Sequence, residues 1–308
     1  MPDSNGRVPW TEDQWNRIRR VVLEEARGAR VAGNFLPLYG PLEPDASYVP
    51  REDLITLIPG LTVDDTETLR LSTLEVRVYL RGEQVADSGL KSALMAFRRA
   101  ANVLAHLEDE IIFRGQPGPS QRPGPPTRAT VATSSGGRVV GGQKNHGLWN
   151  RTPLPTLLPA SGTALVRYVS TAVGELESRY HLGPFACVLG RGYFEAVQTP
   201  NQSLVLPQDR ILPFLGGGPL LRTSALPDNS GLVVALGGAP IDLVVATDIS
   251  VEFLQINSEA WSVFRVYEKI VLRINQETAI ERFSTASPRA HSTKRQAKGG
   301  RARRPSRT

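Results

Sequence analysis

From Leu90 to Phe113, apolar residues return at Leu90, Leu94, Phe97, Ala101, Leu104, Leu107 and Ile111, the spacing of one face of an α-helix. A helix of about 24 residues would be about 36 Å long. No other segment of the chain reads as so long a rod. Upstream, Trp15, Ile18, Val22 and Ala26 recur at helical spacing within Glu12–Arg27. Thr11 is placed to cap that helix, and Glu12 with Asp13 suits its positive end. Beyond Gly28 the run NFLPLYGPLEPDASYVP is rich in Pro and Gly and carries Phe35, Leu38, Tyr39 and Leu42, which predicts an extended arm lying on something else. Between Thr66 and Arg81 the period changes to two: Leu74, Val76, Val78 and Leu80 alternate with Glu75, Arg77, Tyr79 and Arg81. That is a strand with one apolar and one wet face.

From Gly115 to Ser161 the pattern dissolves into a stretch rich in Pro, Gly, Ser and Thr and free of acids. It reads as a long irregular connection between two lobes. A second helix is predicted from Thr163 to Tyr180, ended by Gly183 and Pro184. Phe185–Leu189 reads as a buried strand leading to a short helix near Gly192–Val197. The segment Gln198–Leu226 reads as loop. Leu232–Leu236, Ile241–Ala246, Val251–Ile256 and Ser262–Ile274 read as strands joined by tight turns.

The 308 residues suit about two domains or one large one. A hydrophobic fraction of 40% and a charged fraction of 21% rule out wholesale disorder. The net charge of +6 is uneven: residues 284–308 hold eight Lys or Arg and no acid, leaving 28 basic against 30 acidic residues in the body. This basic tail is predicted to be disordered. Cys187 is the single cysteine, so no internal disulfide or cysteine-based metal site can form. Histidines 106, 146, 181 and 291 lack the spacing of metal ligands on one helix face, so no metal is expected. The N-terminus lacks an apolar core of a secretion signal and no run of 18 apolar residues occurs. No membrane span is expected, and the compartment is read as cytoplasmic.

Motifs that invite a catalytic reading do not hold. Gly137–Lys144, GRVVGGQK, has Gln143 where a phosphate-binding loop needs Lys after Gly142. The Gly216–Gly218 triplet runs into Pro219 rather than a helix start. Glu108, Asp109 and Glu110 point about 100° apart on their helix and cannot converge unaided; they read as structural acceptors. Cys187 within FACVL reads as a small buried residue, and G-x-S-x-G is absent. No catalytic residue is assigned, and the chain is not read as an enzyme.

Glu108–Gly115, EDEIIFRG, resembles the end of the spine helix of encapsulins, the bacterial nanocompartment shell proteins once grouped as linocin-type bacteriocins. The opening PWTEDQW, the YGPL of the arm, GPFACVLGRGYFEAV and the closing run from Val244 to Ile280 resemble the same family in the same order. The resemblance implies an α+β, tailed-bacteriophage major-capsid-like fold with a peripheral lobe, an axial lobe and an extended loop. Projected on this chain, residues 1–45 form the N-terminal helix and arm, and 46–114 the peripheral lobe with extended loop 61–89 and spine helix 90–113. Residues 115–161 form the connection, 162–230 the axial lobe, 231–283 the closing strands and 284–308 the tail.

By that resemblance the function is a shell subunit that self-assembles with many identical copies into a closed icosahedral compartment holding cargo enzymes. The cargo's short terminal targeting peptide would dock on a patch formed by Trp15, Ile18, Arg19, Val22, Phe35 and Leu38; for each of them, packing within its own lobe is the competing reading. Leu206, Pro207, Gln208, Asp209 and Arg210 would line a narrow five-fold opening gated mainly by backbone and apolar side chains. The residues call for no cofactor, and the resemblance leaves a bound flavin open. The alternative is a prophage major capsid protein packaging DNA; the early helix start is expected to leave no room for an N-terminal scaffolding segment, which favours the compartment. The tail's eight cations suggest a weak nucleic-acid or anionic-surface contact.

Overall fold

The computed structural model describes residues 8–57, 60–116, 130–132, 136–151, 155–159, 161–200 and 205–285. The chain opens with α1 (Glu12–Ala29) and a 3-10 turn at Ala32–Asn34, then runs through β1 (Leu38–Tyr39), β2 (Tyr48–Pro50), β3 (Asp53–Leu57), β4 (Gly60–Asp64) and β5 (Thr68–Arg70). It continues in β6 (Ser72–Leu80), α2 (Gly82–Ala86), α3 (Lys91–Arg114), β7 (Thr130–Ala132), β8 (Gly137–Gly141) and β9 (Thr156–Leu157). Next come α4 (Gly162–Ser178), β10 (Phe185–Leu189), α5 (Arg191–Gln198), α6 (Pro207–Ile211), a 3-10 turn at Leu212–Leu215 and β11 (Leu220–Arg222). The closing strands are β12 (Ser230–Ala235), β13 (Ile241–Ile256), β14 (Ser262–Ile274) and β15 (Ile280–Ser284).

Two sheets organise these elements. The first has the order β1-β13-β14-β6-β8-β7 and is antiparallel except where β1 joins β13. The second has the order β11-β10-β12-β15-β9. In β6 the predicted alternation is realised: Leu74, Val76, Val78 and Leu80 are buried while Arg77 and Tyr79 are exposed. Glu75 breaks the pattern because arginines enclose it, Arg138 at 2.9 Å, Arg77 at 3.6 Å and Arg265 at 3.7 Å.

α1 starts where its sequence says it should. Thr11 Oγ1 accepts from Gln14 N and Gln14 Oε1 accepts from Thr11 N, a reciprocal cap that satisfies two end groups. α1 then lays Trp15, Ile18, Val22 and Ala26 against the core. At the far end of α3, the N–H groups of Leu148 and Trp149 donate to the carbonyls of Ile112 and Phe113, closing carbonyls that a helix end leaves open. Gly115 turns there with φ 88°, and a methyl at this position would overlap the Asn145 carbonyl.

An aromatic cluster ties α1, α3 and the first sheet together. The Trp10 ring stacks on Phe264 of β14 at 4.9 Å, and Trp15, Phe97 and Phe253 surround Phe264 at 6.1, 5.5 and 5.4 Å. Trp10 Nε1 donates to the Val85 carbonyl at 2.8 Å, so its one polar atom is satisfied in the core.

Four expectations change. The alternating segment is not a projecting loop: β6 lies between β14 and β8 within the first sheet, because its apolar face is needed under α3. The β3–β4 hairpin, residues 53–64, forms a two-stranded sheet of its own. Residues 137–141, read as part of an irregular connection, form β8, whose Val139 and Val140 pair across to Leu74 and Thr73. The predicted strands 241–246 and 251–256 are one strand, with register shifts between Val245 and Ser250 that absorb the residues read as a turn. Finally, the 198–226 loop contains α6 and β11. The basic tail beyond residue 285 lies outside the described residues, as do residues 117–129 of the connection.

Because Phe264 is fully buried at the centre of the aromatic cluster, Phe264→Ala is expected to destabilise the subunit by about 3–5 kcal/mol, read from chemical denaturation followed by tryptophan fluorescence.

Candidate assembly and docking surfaces

The β3–β4 hairpin stands apart as a two-stranded sheet, with Leu54 paired to Val63 and Ile55 to Thr62. Its base is clamped: Arg51 reaches Asp53 at 2.8 Å and Glu67 at 3.1 Å, and Glu52 N donates to Asn275 Oδ1 at 3.2 Å. Beyond the clamp, Leu54, Ile55, Leu61 and Val63 are all exposed. A lone two-stranded ribbon is marginal in water, and clustered exposed apolar side chains mark contact surfaces.

The arm is fastened differently. β1 adds two residues in parallel to β13, Leu38 beside Leu243 and Tyr39 beside Val244. Leu42 N then donates to the Val245 carbonyl at 2.9 Å. Gly40 makes the crossing possible: its φ is 127°, and any β-carbon would overlap that same carbonyl. The Arg273 guanidinium lies 4.3 Å from the Tyr39 ring centroid and bonds Asp242 Oδ2 at 2.7 Å. Arg273 and Asp242 are both buried, and the Asp242 hydrogen bond pushes the Arg273 pKa up further, against its burial.

The six proposed peptide-docking residues divide. Trp15, Ile18 and Val22 are at most 1% exposed and belong to the core. Phe35 is buried against Phe113 at 6.3 Å. Arg19 is exposed, paired with Glu12 at 2.9 Å, and its guanidinium lies 5.7 Å from the Trp15 ring. Leu38 is 58% exposed on the arm. Of the five proposed opening residues, Pro207 is buried against Gly162 of α4, while Leu206 and Gln208 are half-buried. Gln208 bonds Gln198, and only Asp209 and Arg210 of the five are exposed. Nearby, Val205, Leu212 and Phe214 are exposed apolar groups. A short helix thus stands where a loop was expected, and it offers side chains rather than backbone. Pro207 at its first position is the sequence signal for that helix.

The acidic run at the end of α3 is structural in part, as expected. Asp109 accepts from Val31 N at 3.0 and 3.1 Å and from Ala32 N at 2.8 Å, fixing the turn after α1. Burial outweighs those bonds and raises its pKa to about 7. Cys187 is wholly buried in β10, and burial pushes its thiol up to about 12. Among the described residues no group of three or more His, Cys, Asp or Glu could hold a metal ion, and no helix is long and apolar enough to cross a membrane.

A family model described as the encapsulating protein for peroxidase matches residues 4–121 and 141–271. This chain belongs to that family. The shell protein is 27% identical to the type 1 encapsulin shell protein EncA of Myxococcus xanthus, over 91% of this chain and 96% of the relative. It is 25% identical to a diheme-cytochrome-encapsulin shell fusion protein of Kuenenia stuttgartiensis, over 87% of this chain and 72% of that one. Among solved structures, the virus-like particle from Pyrococcus furiosus aligns with a TM-score of 0.69 at 16% identity, covering 89% of this chain and all of that one. The capsid of Myoviridae phage XM1 aligns at 0.55 and 13% identity, covering 81% and 90%. The fold is the tailed-phage capsid fold.

Two outcomes follow for the shell protein. Arg273→Ala leaves Asp242 buried without its partner and strips the support from Tyr39, so a loss of about 3–5 kcal/mol is expected in denaturant titration. Cys187 is expected to be inert to thiol reagents at about pH 8 in the folded protein and to react fully once unfolded, as scored by mass spectrometry.

Proposed function

We propose that this shell subunit closes with identical copies into an icosahedral container whose lumen holds a cargo enzyme. The observation that carries assembly is the β3–β4 ribbon, whose Leu54, Ile55, Leu61 and Val63 are left uncovered by the described residues. A repeated contact between different faces of identical subunits closes when its rotation closes, and apolar burial drives it. Many modest contacts then add up to a durable particle. The curated relatives are encapsulin shell proteins, whereas the likeness to the phage capsid is one of fold alone, which favours a compartment over a DNA-packaging capsid.

Cargo docking by a short terminal peptide is the finer part of the proposal. With Trp15, Ile18 and Val22 committed to the core, a peptide approaching α1 would meet Arg19, and one approaching the arm would meet Leu38 and Tyr39, both exposed. An opening lined by α6 would present Asp209 and Arg210. The eight cations of residues 284–308 would add a salt-dependent attraction to polyanions. The cytoplasm is the proposed place of work, and a bound flavin remains part of the family-based reading.

Sedimentation velocity of the purified protein is expected to show one large closed particle, and recovery of monomers alone under mild conditions would overturn the assembly reading. The double variant Leu54→Asp, Leu61→Asp is expected to keep the wild-type circular dichroism spectrum while losing the particle. Leu38→Asp is expected to leave particles intact and lower the amount of cargo that co-purifies.

A further inference from the structure

Glu108 of α3 and Glu268 of β14 are 0% and 2% exposed, at the point where the helix crosses the first sheet. Both Glu108 carboxyl oxygens and Glu268 Oε1 lack a hydrogen-bond partner, and so does Arg30 Nε. Among the described residues the nearest cation is Arg30, whose Nη1 is 3.9 Å from Glu108 Oε2, an ion pair too long for a hydrogen bond. The Gly33 amide lies near Glu108 but outside hydrogen-bond geometry. Among the described residues, the other charged groups that act on the pair are Asp109 on α3 and Asp248 on β13. From β6, Leu74 stands opposite Glu268 and contributes only apolar surface. One guanidinium therefore faces four carboxyl groups, two of them wholly removed from water. Burial of an unpaired carboxylate is strongly unfavourable, and neighbouring carboxyls that cannot all ionise retain protons.

We propose that Glu108 and Glu268 form a proton-dependent clasp: the pair keeps a proton at neutral pH, and its loss in alkali loosens the turn at residues 30–34 from α3. The turn is the element at stake because Arg30 and Gly33 pack on Glu108 and because Val31 and Ala32 hang on the adjacent Asp109. Burial raises Glu108 to about 8, opposed by Arg30 and reinforced by Asp109 and Asp248; Glu268 is raised by burial and by Glu108. The folded chain therefore binds protons that the unfolded chain has released. Stability falls as pH climbs from the ordinary carboxyl range to the folded value, and the loss levels off above it.

The clasp belongs to the subunit, so its test does not depend on what the particle encloses. Thermal unfolding of the full-length protein and of Glu268→Gln is compared from about pH 5 to about pH 9. The expected result is equal midpoints at the acid end and a higher midpoint for the variant at the alkaline end, because an amide cannot ionise. Curves that stay parallel across the range would overturn the clasp. Infrared spectra provide a second reading on folded wild-type protein: a buried carboxylic-acid carbonyl band is expected at neutral pH, lost in alkali and reduced in Glu108→Gln. Absence of that band at neutral pH would also overturn it.

Discussion

The long helix α3 has apolar side chains around most of its circumference, and it must be covered on two sides at once. α1 lies along one side and the sheet strands β6 and β14 along another. That requirement explains why α1 gives Trp15, Ile18 and Val22 to the interior and why β6 turns Leu74, Val76, Val78 and Leu80 inward. The aromatic cluster around Phe264 sits where the three elements meet. Removing water from this junction is the main source of the first lobe's cohesion.

Not every apolar side chain is taken up by the core. The β3–β4 ribbon is held at its base by the Arg51 and Asn275 contacts, and beyond them Leu54, Ile55, Leu61 and Val63 are exposed. The arm, in contrast, is fixed by a short parallel pairing, by the close passage of Gly40 and by the Arg273 guanidinium over Tyr39. One extension is thus laid on its own sheet, while the other would meet a neighbour in the assembly proposed above.

Charge is handled in two ways inside the first lobe. Glu75 and Asp242 are buried with arginines in direct contact, so their ionised forms are compensated. Among the described residues, Glu108 and Glu268 have one guanidinium between them, 3.9 Å from Glu108, which leaves protonation as the route to neutrality. The contrast lies in placement: Glu75 faces Arg77, Arg138 and Arg265 and Asp242 faces Arg273 on the sheet, whereas the Glu108–Glu268 pair sits where helix and sheet close against each other.

Periodicity made α1, α3, α4 and β6 legible in the amino-acid sequence, because a helix or strand that buries one face must write that face at fixed intervals, and β10 was legible as a short uninterrupted apolar run. The basic tail and the buried nature of Cys187 were legible for similar reasons of composition and context. The motif order from PWTEDQW to the closing strands also pointed to the family. Only the tertiary structure decided which two-stranded excursion projects, since alternation marks a half-buried strand without saying what covers it. It likewise decided that GRVVG pairs with β6, that a single bulged strand spans 241–256, and that most of the proposed docking face of α1 is spent on the core. Burial and partnership of a side chain depend on elements far apart along the chain, and Glu108 and Glu268, 160 positions apart in sequence, meet only when the fold brings α3 across β14.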